Sequence, residues 1–173
     1  MKLIDLTHSM SRQQTPESAG RDFPPVVVRS ADLVEKVPLD RLVTMATVVD
    51  VRERADRDAI GKQDMTSTGV ADIGGCILRT DWCDNYLSGM REDAPVLEMD
   101  AATYLLQGGV RTIAADFPLT GGVADLLMHN GCVLIYCVSN VGEITRSIVR
   151  LAALPLKFED TFAADARVIA IEQ

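Results

Sequence analysis

The chain has 173 residues, of which 47% are hydrophobic and 24% are charged, and its formal net charge at pH 7 is −8. This size and composition predict one globular domain, residues 1–173, with a core of its own. The negative charge excludes nucleic acid and anionic membrane surfaces as expected partners, because neither is attracted to an acidic protein. No apolar run is long enough for a signal peptide or a membrane span, so we expect a cytoplasmic protein.

In the first half of the chain, short apolar runs separated by turn residues predict strands. The predicted strands are residues 2–6, 26–28, 44–51 and 76–80. Between the first two, the polar segment 7–24 is predicted to form a surface arm. The charged stretch 52–68 is predicted to be a solvated helix and loop.

The segment that follows the fourth strand, residues 81–86, reads DWCDNY and is predicted to be a loop. It holds the single tryptophan, Trp82, beside acids and a thiol, a combination typical of a pocket wall. A tryptophan that simply closes the core is the competing interpretation and fits the pattern at least as well.

In the second half, Asp100 is predicted to cap a helix at 101–107, and further helices are predicted at 123–130 and 148–154. Strands are predicted at 111–115, 132–138 and 166–171. Asp116 ends the first of these strands and is followed by Phe117. Because ligands of α/β sheets bind beyond the carboxyl ends of the strands, these two residues are candidates for a site. An aspartate that caps the turn is an equal alternative.

Four cysteines stand singly in the sequence: Cys76, Cys83, Cys132 and Cys137. No CxxC pair and no neighbouring histidine accompanies them, so the pattern indicates neither a zinc site nor a redox dithiol. We expect reduced thiols, with Cys76 and Cys132 as small buried hydrophobic residues because both lie in apolar runs.

Five segments, in this order and spacing, resemble the family of metal-dependent cyclases that includes bacterial kynurenine formamidase and isatin hydrolase. They are IDLTHSM at 4–10, VPLDRLVTMATVVDV at 37–51, GGCILRTDWCDNY at 74–86, GGVRTIAADFP at 108–118 and ALPLKFEDTFAADARVIAIE at 153–172. The resemblance implies an α/β fold of the swivelling β/β/α type, with a central mixed, barrel-like sheet flanked by helices. It also implies a homodimer or homotetramer in which the arm reaches a neighbouring active site.

The same resemblance implies a metal held by an HxGTHxDxP segment, together with a later His and a later Glu. In this chain the corresponding interval, residues 22–37, reads DFPPVVVRSADLVEKV and contains no histidine. The later His would fall near Ala124 or Asp125, and the Glu would fall at Tyr136. The whole chain has only two histidines, His8 and His129. We therefore expect a divergent member with no family metal site and no cofactor.

If the pocket of the family survives, its position implies three catalytic residues and five residues that bind substrate. The catalytic candidates are Asp116, Tyr136 and His8. The substrate-binding candidates are Trp82, Thr80, Phe117, Asp125 and Cys137. An Asp or His would remove a proton next to a carbonyl, and Tyr136 would donate to the developing oxyanion. A structural role in a turn is the alternative for His8, and we expect His129 to lie at a helix C-terminus as a partner of the helix dipole.

Three functions remain open at this point. The first is a metal-independent cyclase, dehydratase or isomerase that acts on a carbonyl-containing small molecule in natural-product biosynthesis. The second is a catalytically inactive homologue that binds a ligand, or serves as the partner subunit of an active paralogue. The third is a hydrolase with a metal site rebuilt from carboxylates, for which Asp116 and Asp125 would be the ligands.

Overall fold

The computed structural model describes residues 1–9, 26–52, 59–69, 73–87 and 93–173. Within them the chain forms ten strands: β1 Lys2–Asp5, β2 Val27–Arg29, β3 Val43–Asp50, β4 Ala59–Ile60, β5 Gly74–Arg79, β6 Val96–Leu97, β7 Thr112–Ala115, β8 Val133–Tyr136, β9 Ile148–Pro155 and β10 Ala163–Glu172. The helices are α1 Leu39–Leu42, α2 Lys62–Thr68, α3 Trp82–Leu87, α4 Met99–Gln107 and α5 Gly121–His129, with 3₁₀ turns at Val34–Lys36 and Val141–Glu143.

Seven strands close into a barrel-like sheet. Their order is β10, β2, β8, β7, β5, β3 and β9, and β9 pairs again with β10. Strand β1 pairs with the C-terminal part of β10, from Ile169 to Glu172, while β2 pairs with its N-terminal part. The mixed, barrel-like sheet implied by the resemblance is therefore confirmed.

Four neighbouring strands of the barrel, β3, β5, β7 and β8, run parallel. The register places Asp50 opposite Arg79, Leu78 opposite Ala115, and Ala115 opposite Tyr136. Because parallel strands end at the same edge of a sheet, the segments that follow all four strands meet at one end of the barrel. This edge contains most of the residues that the sequence singled out.

Strands β5, β7 and β8 are largely buried on both faces, and this explains why they read as apolar runs in the sequence. On β5, Ile77 belongs to the cluster inside the barrel, whereas Leu78 belongs to the cluster between the sheet and the helices. Leu105 of α4 and Leu127 of α5 are both fully buried in that second cluster. The helices therefore cover the parallel half of the barrel.

Segment 148–154, predicted to be a helix, is instead part of strand β9. The helix prediction is wrong because β9 lies between two long partners: Val43–Thr47 of β3 pair along one edge, and Ala166–Ile171 of β10 pair along the other. Two complete ladders of backbone hydrogen bonds outweigh the local preference of the Leu and Ala residues for a helix.

Segment 81–86, predicted to be a loop, is largely the helix α3. The Trp82 N–H donates to the Thr80 hydroxyl over 3.2 Å, and the Asn85 N–H donates to the Asp81 carbonyl over 3.1 Å. These bonds provide the helix start that the sequence pattern did not reveal.

The start of α4 also differs from the prediction by two residues. Glu98 occupies the N-cap position, and Asp100 lies in the first turn, where its carboxylate accepts a hydrogen bond from the Lys62 N–H over 3.2 Å. Asp100 therefore joins two helices. Of the predicted arm, residues 10–24 lie outside the described part of the chain. In the described part, none of the helices has the length and apolar character needed to cross a membrane.

The close contact between β5 and β3 at Gly75 gives a first prediction. A Cβ atom at this buried glycine would lie 2.8 Å from the Met45 carbonyl oxygen and 2.9 Å from Thr44 Cγ2. We expect Gly75→Ala to lower the free energy of unfolding by about 1–3 kcal/mol, because the strands must separate to admit the methyl group. Urea denaturation followed by circular dichroism measures this change.

Gly122→Ala is the matched control, because no atom lies within 4 Å of a Cβ at this exposed position in α5. It should leave the protein as stable as before, or more stable by up to about 1 kcal/mol. Equal stability of the two variants would contradict the close approach of β5 to β3.

Candidate active site

Four segments meet at the carboxyl edge of the parallel strands: residues 5–8, 80–84, 116–117 and 136–140. Backbone hydrogen bonds join them directly. The Ser139 N–H donates to the Leu6 carbonyl over 3.0 Å, and the Val138 N–H donates to the Ala115 carbonyl over 3.1 Å. Sheet geometry alone therefore brings His8, Thr80, Asp116 and Tyr136 to one end of the barrel.

Asp116 lies just beyond β7 and is only 2% exposed. Its Oδ2 accepts hydrogen bonds from the N–H groups of Thr80 and Asp81, over 2.8 and 2.6 Å. Its Oδ1 lies 2.6 Å from the Thr80 hydroxyl. The carboxyl group therefore caps the end of the neighbouring strand β5, in agreement with the turn-capping alternative.

Burial raises the pKa of Asp116 from 3.8 to about 7, and the hydrogen bonds from Thr80 and Asp81 oppose the rise only in part. The Thr80 hydroxyl can either donate to a carboxylate or accept from a carboxylic acid, so this contact is compatible with both protonation states. Near neutral pH the group is therefore close to half protonated.

Trp82 is buried and belongs to the cluster between the sheet and the helices. Its ring centroid lies 5.0 Å from that of Tyr86. Phe117 is fully buried in the same cluster. The structure therefore places both side chains in the core, where the competing interpretation placed Trp82.

Three residues at this edge adopt a left-handed backbone conformation without being glycine: Asp81, Cys137 and Asn140, with φ angles of 59°, 65° and 56°. This conformation is unfavourable for a residue with a side chain, although Asp and Asn tolerate it best. It persists where surrounding contacts impose it, and such positions cluster at functional sites.

His8 is partly buried, next to the backbone of Cys137 and within the electrostatic influence of Asp84. Burial lowers the pKa of the imidazole below its usual 6.5, while the charge of Asp84 and the Cys137 backbone oppose the fall. The Asp84 Oδ1 accepts a hydrogen bond from the Asn140 N–H over 3.1 Å. The Asn140 side chain donates in turn to the Asp5 carbonyl over 2.9 Å. Asn140 therefore ties Asp84 to the strand that leads to His8.

Sequence reasoning missed both Asp84 and Asn140 as functional candidates. Asp84 is the second acid of the DWCDNY segment, whose composition is typical of a pocket wall. That composition is the one feature of the sequence that could have pointed to Asp84. Nothing in the sequence indicated that α3 would turn this acid toward the segment after β1.

Tyr136 is partly buried at the end of β8 and packs against the cluster between the sheet and the helices. Burial raises the pKa of its phenol, and the neighbouring Arg29 of β2 opposes the rise. The register explains this contact, since Val27 pairs with Tyr136 and Arg29 pairs with Leu134. Arg29 is a further residue that the sequence did not identify.

The thiols at this edge are protonated and buried. Burial, with a smaller contribution from the nearby Asp116, raises the pKa of Cys137 to about 12. Burial also raises the pKa of Cys83, whose Sγ lies 3.9 Å from the Cys137 carbonyl oxygen. A thiol with a raised pKa is a poor nucleophile at neutral pH. Cys76 and Cys132 are fully buried, as the sequence predicts, and all four cysteines are free thiols.

Asp125 lies on the exposed surface of α5. Its carbonyl accepts a hydrogen bond from the His129 Nδ1–H over 2.7 Å, so His129 occupies the last turn of the helix as predicted. A shallow groove of about 100 Å³ lies between the segment before α4 and the segment that follows Phe117. Pro95, Leu97, Pro118, Leu119 and Val123 are among the residues that line it.

The donors at this edge do not fit a metal site of the implied family type. In the part of the chain that the structure describes, no three His, Cys, Asp or Glu side chains lie close enough together to hold a metal ion. The Asp116 oxygens already accept from Thr80 and Asp81.

Solved structures share this fold across nearly the whole chain. Isatin hydrolase A from Ralstonia solanacearum is 16% identical, with a TM-score of 0.79 over 99% of this chain and 92% of that chain. Isatin hydrolase A from Labrenzia aggregata, bound to benzyl benzoate, is 15% identical, with a TM-score of 0.78 over 99% and 94%. A predicted metal-dependent hydrolase from Bacillus stearothermophilus is 19% identical, with a TM-score of 0.74 over 98% and 97%. At these identities the similarity establishes the fold alone.

No curated protein matches the sequence. A family model described as "Putative cyclase" matches residues 4–120. This match includes the end of β1, the parallel strands β3, β5 and β7, and Asp116 just beyond β7. Because it spans more than half of the chain, the protein belongs to the putative cyclase family.

Proposed function

We propose that this protein is a metal-independent cyclase, dehydratase or isomerase that transfers protons on a carbonyl-containing small molecule. The observation that carries the proposal is the position of His8, which lies at the carboxyl edge of the parallel strands, close enough to Asp84 for the carboxylate charge to act on the imidazole. An imidazole backed by a carboxylate is a common arrangement for general acid–base catalysis.

His8 is the group that takes the proton. Because burial lowers its pKa, the imidazole is mostly neutral at pH 7, and a neutral imidazole has one ring nitrogen that is basic enough to accept a proton from carbon. Asp84 stabilises the imidazolium that forms, since opposite charges attract more strongly in a partly buried site than in water. The proton then returns to the substrate or passes to water, so the reaction needs no further reactant.

Tyr136 is the donor to the developing oxyanion. Because its pKa is raised above the usual 10, the phenol stays protonated at neutral and mildly alkaline pH, where His8 is neutral. A phenol that keeps its proton can donate a hydrogen bond to an enolate oxygen, and Arg29 beside it adds a positive charge that favours the same anion.

The geometry suggests for Asp116 a different role from the catalytic one that the sequence predicts. All three of its hydrogen bonds go to Thr80 and Asp81, and only 2% of the residue is exposed. We propose that Asp116 is a positioning residue, which holds the start of α3 and thereby the location of Asp84.

A second candidate function is that of an inactive family member that serves as a structural subunit. Such a subunit needs an exposed apolar surface for assembly, and large exposed apolar side chains lie at and near the turn between β9 and β10. Leu154, Leu156, Phe158 and Phe162 are 53–64% exposed. We propose that a second copy of this chain covers them in a homodimer or homotetramer, since aromatic residues are enriched at the centres of interfaces. This assembly is compatible with either function.

The raised pKa of Asp116 predicts how stability depends on pH. The carboxyl pKa is about 7 in the folded protein and about 3.9 in the unfolded chain, so the folded state binds the proton more tightly. The resulting stabilisation is complete below about pH 4 and is lost as the pH rises through about 7. Relative to Asp116→Asn, the parent should lose up to about 1.4 kcal/mol of unfolding free energy per pH unit in this range.

Urea denaturation between pH 4 and 8 measures the difference, with Asp125→Asn on the exposed face of α5 as the control. Asparagine suits the site because its oxygen can accept from both N–H groups while its amide donates to the Thr80 hydroxyl. The prediction would be contradicted if the free energy of unfolding of the parent increased relative to that of Asp116→Asn as the pH rises. Such an increase would mean that the three hydrogen bonds outweigh burial.

Proton transfer at His8 can be tested without knowledge of the natural substrate. A panel of carbonyl compounds with α-protons is incubated in deuterated buffer containing EDTA, and exchange is followed by proton NMR. We expect His8→Gln to slow catalysed exchange by about 10²-fold or more, and Tyr136→Phe by about 10²-fold. The rate should rise with pH through a midpoint below 6.5, because the neutral imidazole is the active form.

His129→Gln is the matched control for the exchange experiment, since the chain has only these two histidines and His129 is exposed. It should exchange at the parent rate. Exchange that occurs only when EDTA is left out of the buffer would overturn the metal-independent mechanism. Absence of exchange over the whole panel would favour the structural subunit.

The proposed assembly gives a separate test by sedimentation velocity. The double variant Phe158→Ser with Phe162→Ser should raise the dissociation constant of the homo-oligomer at least about tenfold, because two aromatic anchors are removed. Val96→Ser, at another exposed apolar residue, should leave assembly unchanged. A parent protein that sediments as a monomer at all concentrations would contradict the interface.

A further inference from the structure

Arg79, the last residue of β5, forms a two-point ion pair with Asp81. Its Nε lies 2.7 Å from Oδ1, and its Nη2 lies 3.3 Å from Oδ2. The Arg79 side chain is 16% exposed, so water screens this pair less than it screens a surface pair. Paired N–H groups on a carboxylate fix orientation as well as distance.

Contacts restrain both the side chain and the backbone of Asp81. Its carboxylate binds Arg79, while its backbone N–H donates to Asp116 over 2.6 Å. Between these two contacts the backbone has a φ of 59°. The contact of the side chain with Arg79 and the contact of the backbone with Asp116 together impose this left-handed conformation. An unrestrained aspartate would adopt it only rarely.

The conformation of Asp81 determines where α3 begins. The helix starts at Trp82, and the Asp81 carbonyl accepts from the Asn85 N–H over 3.1 Å in its first turn. Asp84 lies in this same turn and meets the Asn140 N–H on the other side of the site. A change in the direction of the chain at Asp81 would therefore move Asp84 relative to His8.

Gly142 provides the space that the Arg79 side chain needs. A Cβ atom at this glycine would lie 2.9 Å from Nη2 of Arg79 and 3.9 Å from Oδ1 of Asp81. Gly142 belongs to the 3₁₀ turn that begins directly after Asn140. The segment that holds Asp84 thus also adjoins the guanidinium that holds Asp81.

We propose that Arg79 is a positioning residue for proton transfer, which acts through Asp81 to place Asp84 against His8. The inference rests on the proposed function for its catalytic meaning, but the placement itself can be measured separately. Arg52 offers a contrast: its guanidinium lies 3.6 Å from Asp81 and 2.7 Å from Asp50, and its side chain is 47% exposed. We expect Arg52 to contribute little to the position of α3.

The experiment follows the imidazole of His8 by NMR as the pH changes. With only two histidines in the chain, His129→Gln assigns the two signals. In Arg79→Met, we expect the pKa of His8 to fall by up to about one unit, since Asp84 no longer faces the ring. The kcat for α-proton exchange should fall about tenfold or more, with KM nearly unchanged, because substrate contacts remain.

Two further variants separate positioning from a general loss of structure. Gly142→Ala keeps the guanidinium but crowds it, and it should lower the pKa of His8 and the exchange rate in the same direction as Arg79→Met. Arg79→Lys keeps the charge and should recover part of both values. Arg52→Met is the matched control and should reproduce the parent titration, with all folds checked by circular dichroism.

An unchanged His8 titration in Arg79→Met, or an equal change in Arg52→Met, would overturn the inference. Failure of the proposed function has a different signature. In that case His8→Gln would exchange α-protons at the parent rate, while the titration of His8 in the Arg79 variants would still report whether Asp84 had moved.

Discussion

The carboxyl group of Asp116 is the contact on which the arrangement at this end of the barrel depends. Parallel strands do not by themselves fix the chain beyond their last hydrogen bond, so each of the segments that follow β5, β7 and β8 needs its own restraint. Asp116 follows β7 and accepts hydrogen bonds from the N–H groups of Thr80 and Asp81, which follow β5. It therefore restrains the segments after both strands. The helix that begins at Trp82 depends directly on this contact.

Burial of an acid at this position has an energetic cost, which the raised pKa of Asp116 expresses. The left-handed conformations at Asp81, Cys137 and Asn140 add to that cost. Both the buried acid and the left-handed residues lower the stability of the sheet. Their concentration at one edge of an otherwise apolar barrel is what distinguishes this end as the candidate site.

The proposed chemistry follows from what surrounds each group. His8 and Asp84 are partly buried, and the charge of Asp84 acts on the imidazole, whereas Asp116 is enclosed and its oxygens are occupied by internal donors. The two acids at this edge are thus suited to different roles. Asp84 acts on a titrating imidazole, whereas Asp116 binds backbone N–H groups. Because these three side chains, among the residues that the structure describes, have different partners, they do not form a metal site of the family type.

The sequence by itself determined most strand positions, because apolar runs bounded by turn residues survive in almost any tertiary context. The family and the barrel-like mixed sheet came from the resemblance of five ordered segments. The sequence also identified Asp116, Tyr136 and His8 as residues at strand ends. Only the tertiary structure decided that segment 148–154 is a strand, because the two ladders that hold it come from β3 and β10, far away in the sequence. It alone brought Asp84 to His8, since that contact depends on a left-handed residue, a short helix and Asn140 from another strand end. Local sequence patterns report periodicity and turns, whereas contacts between distant segments depend on how the barrel closes.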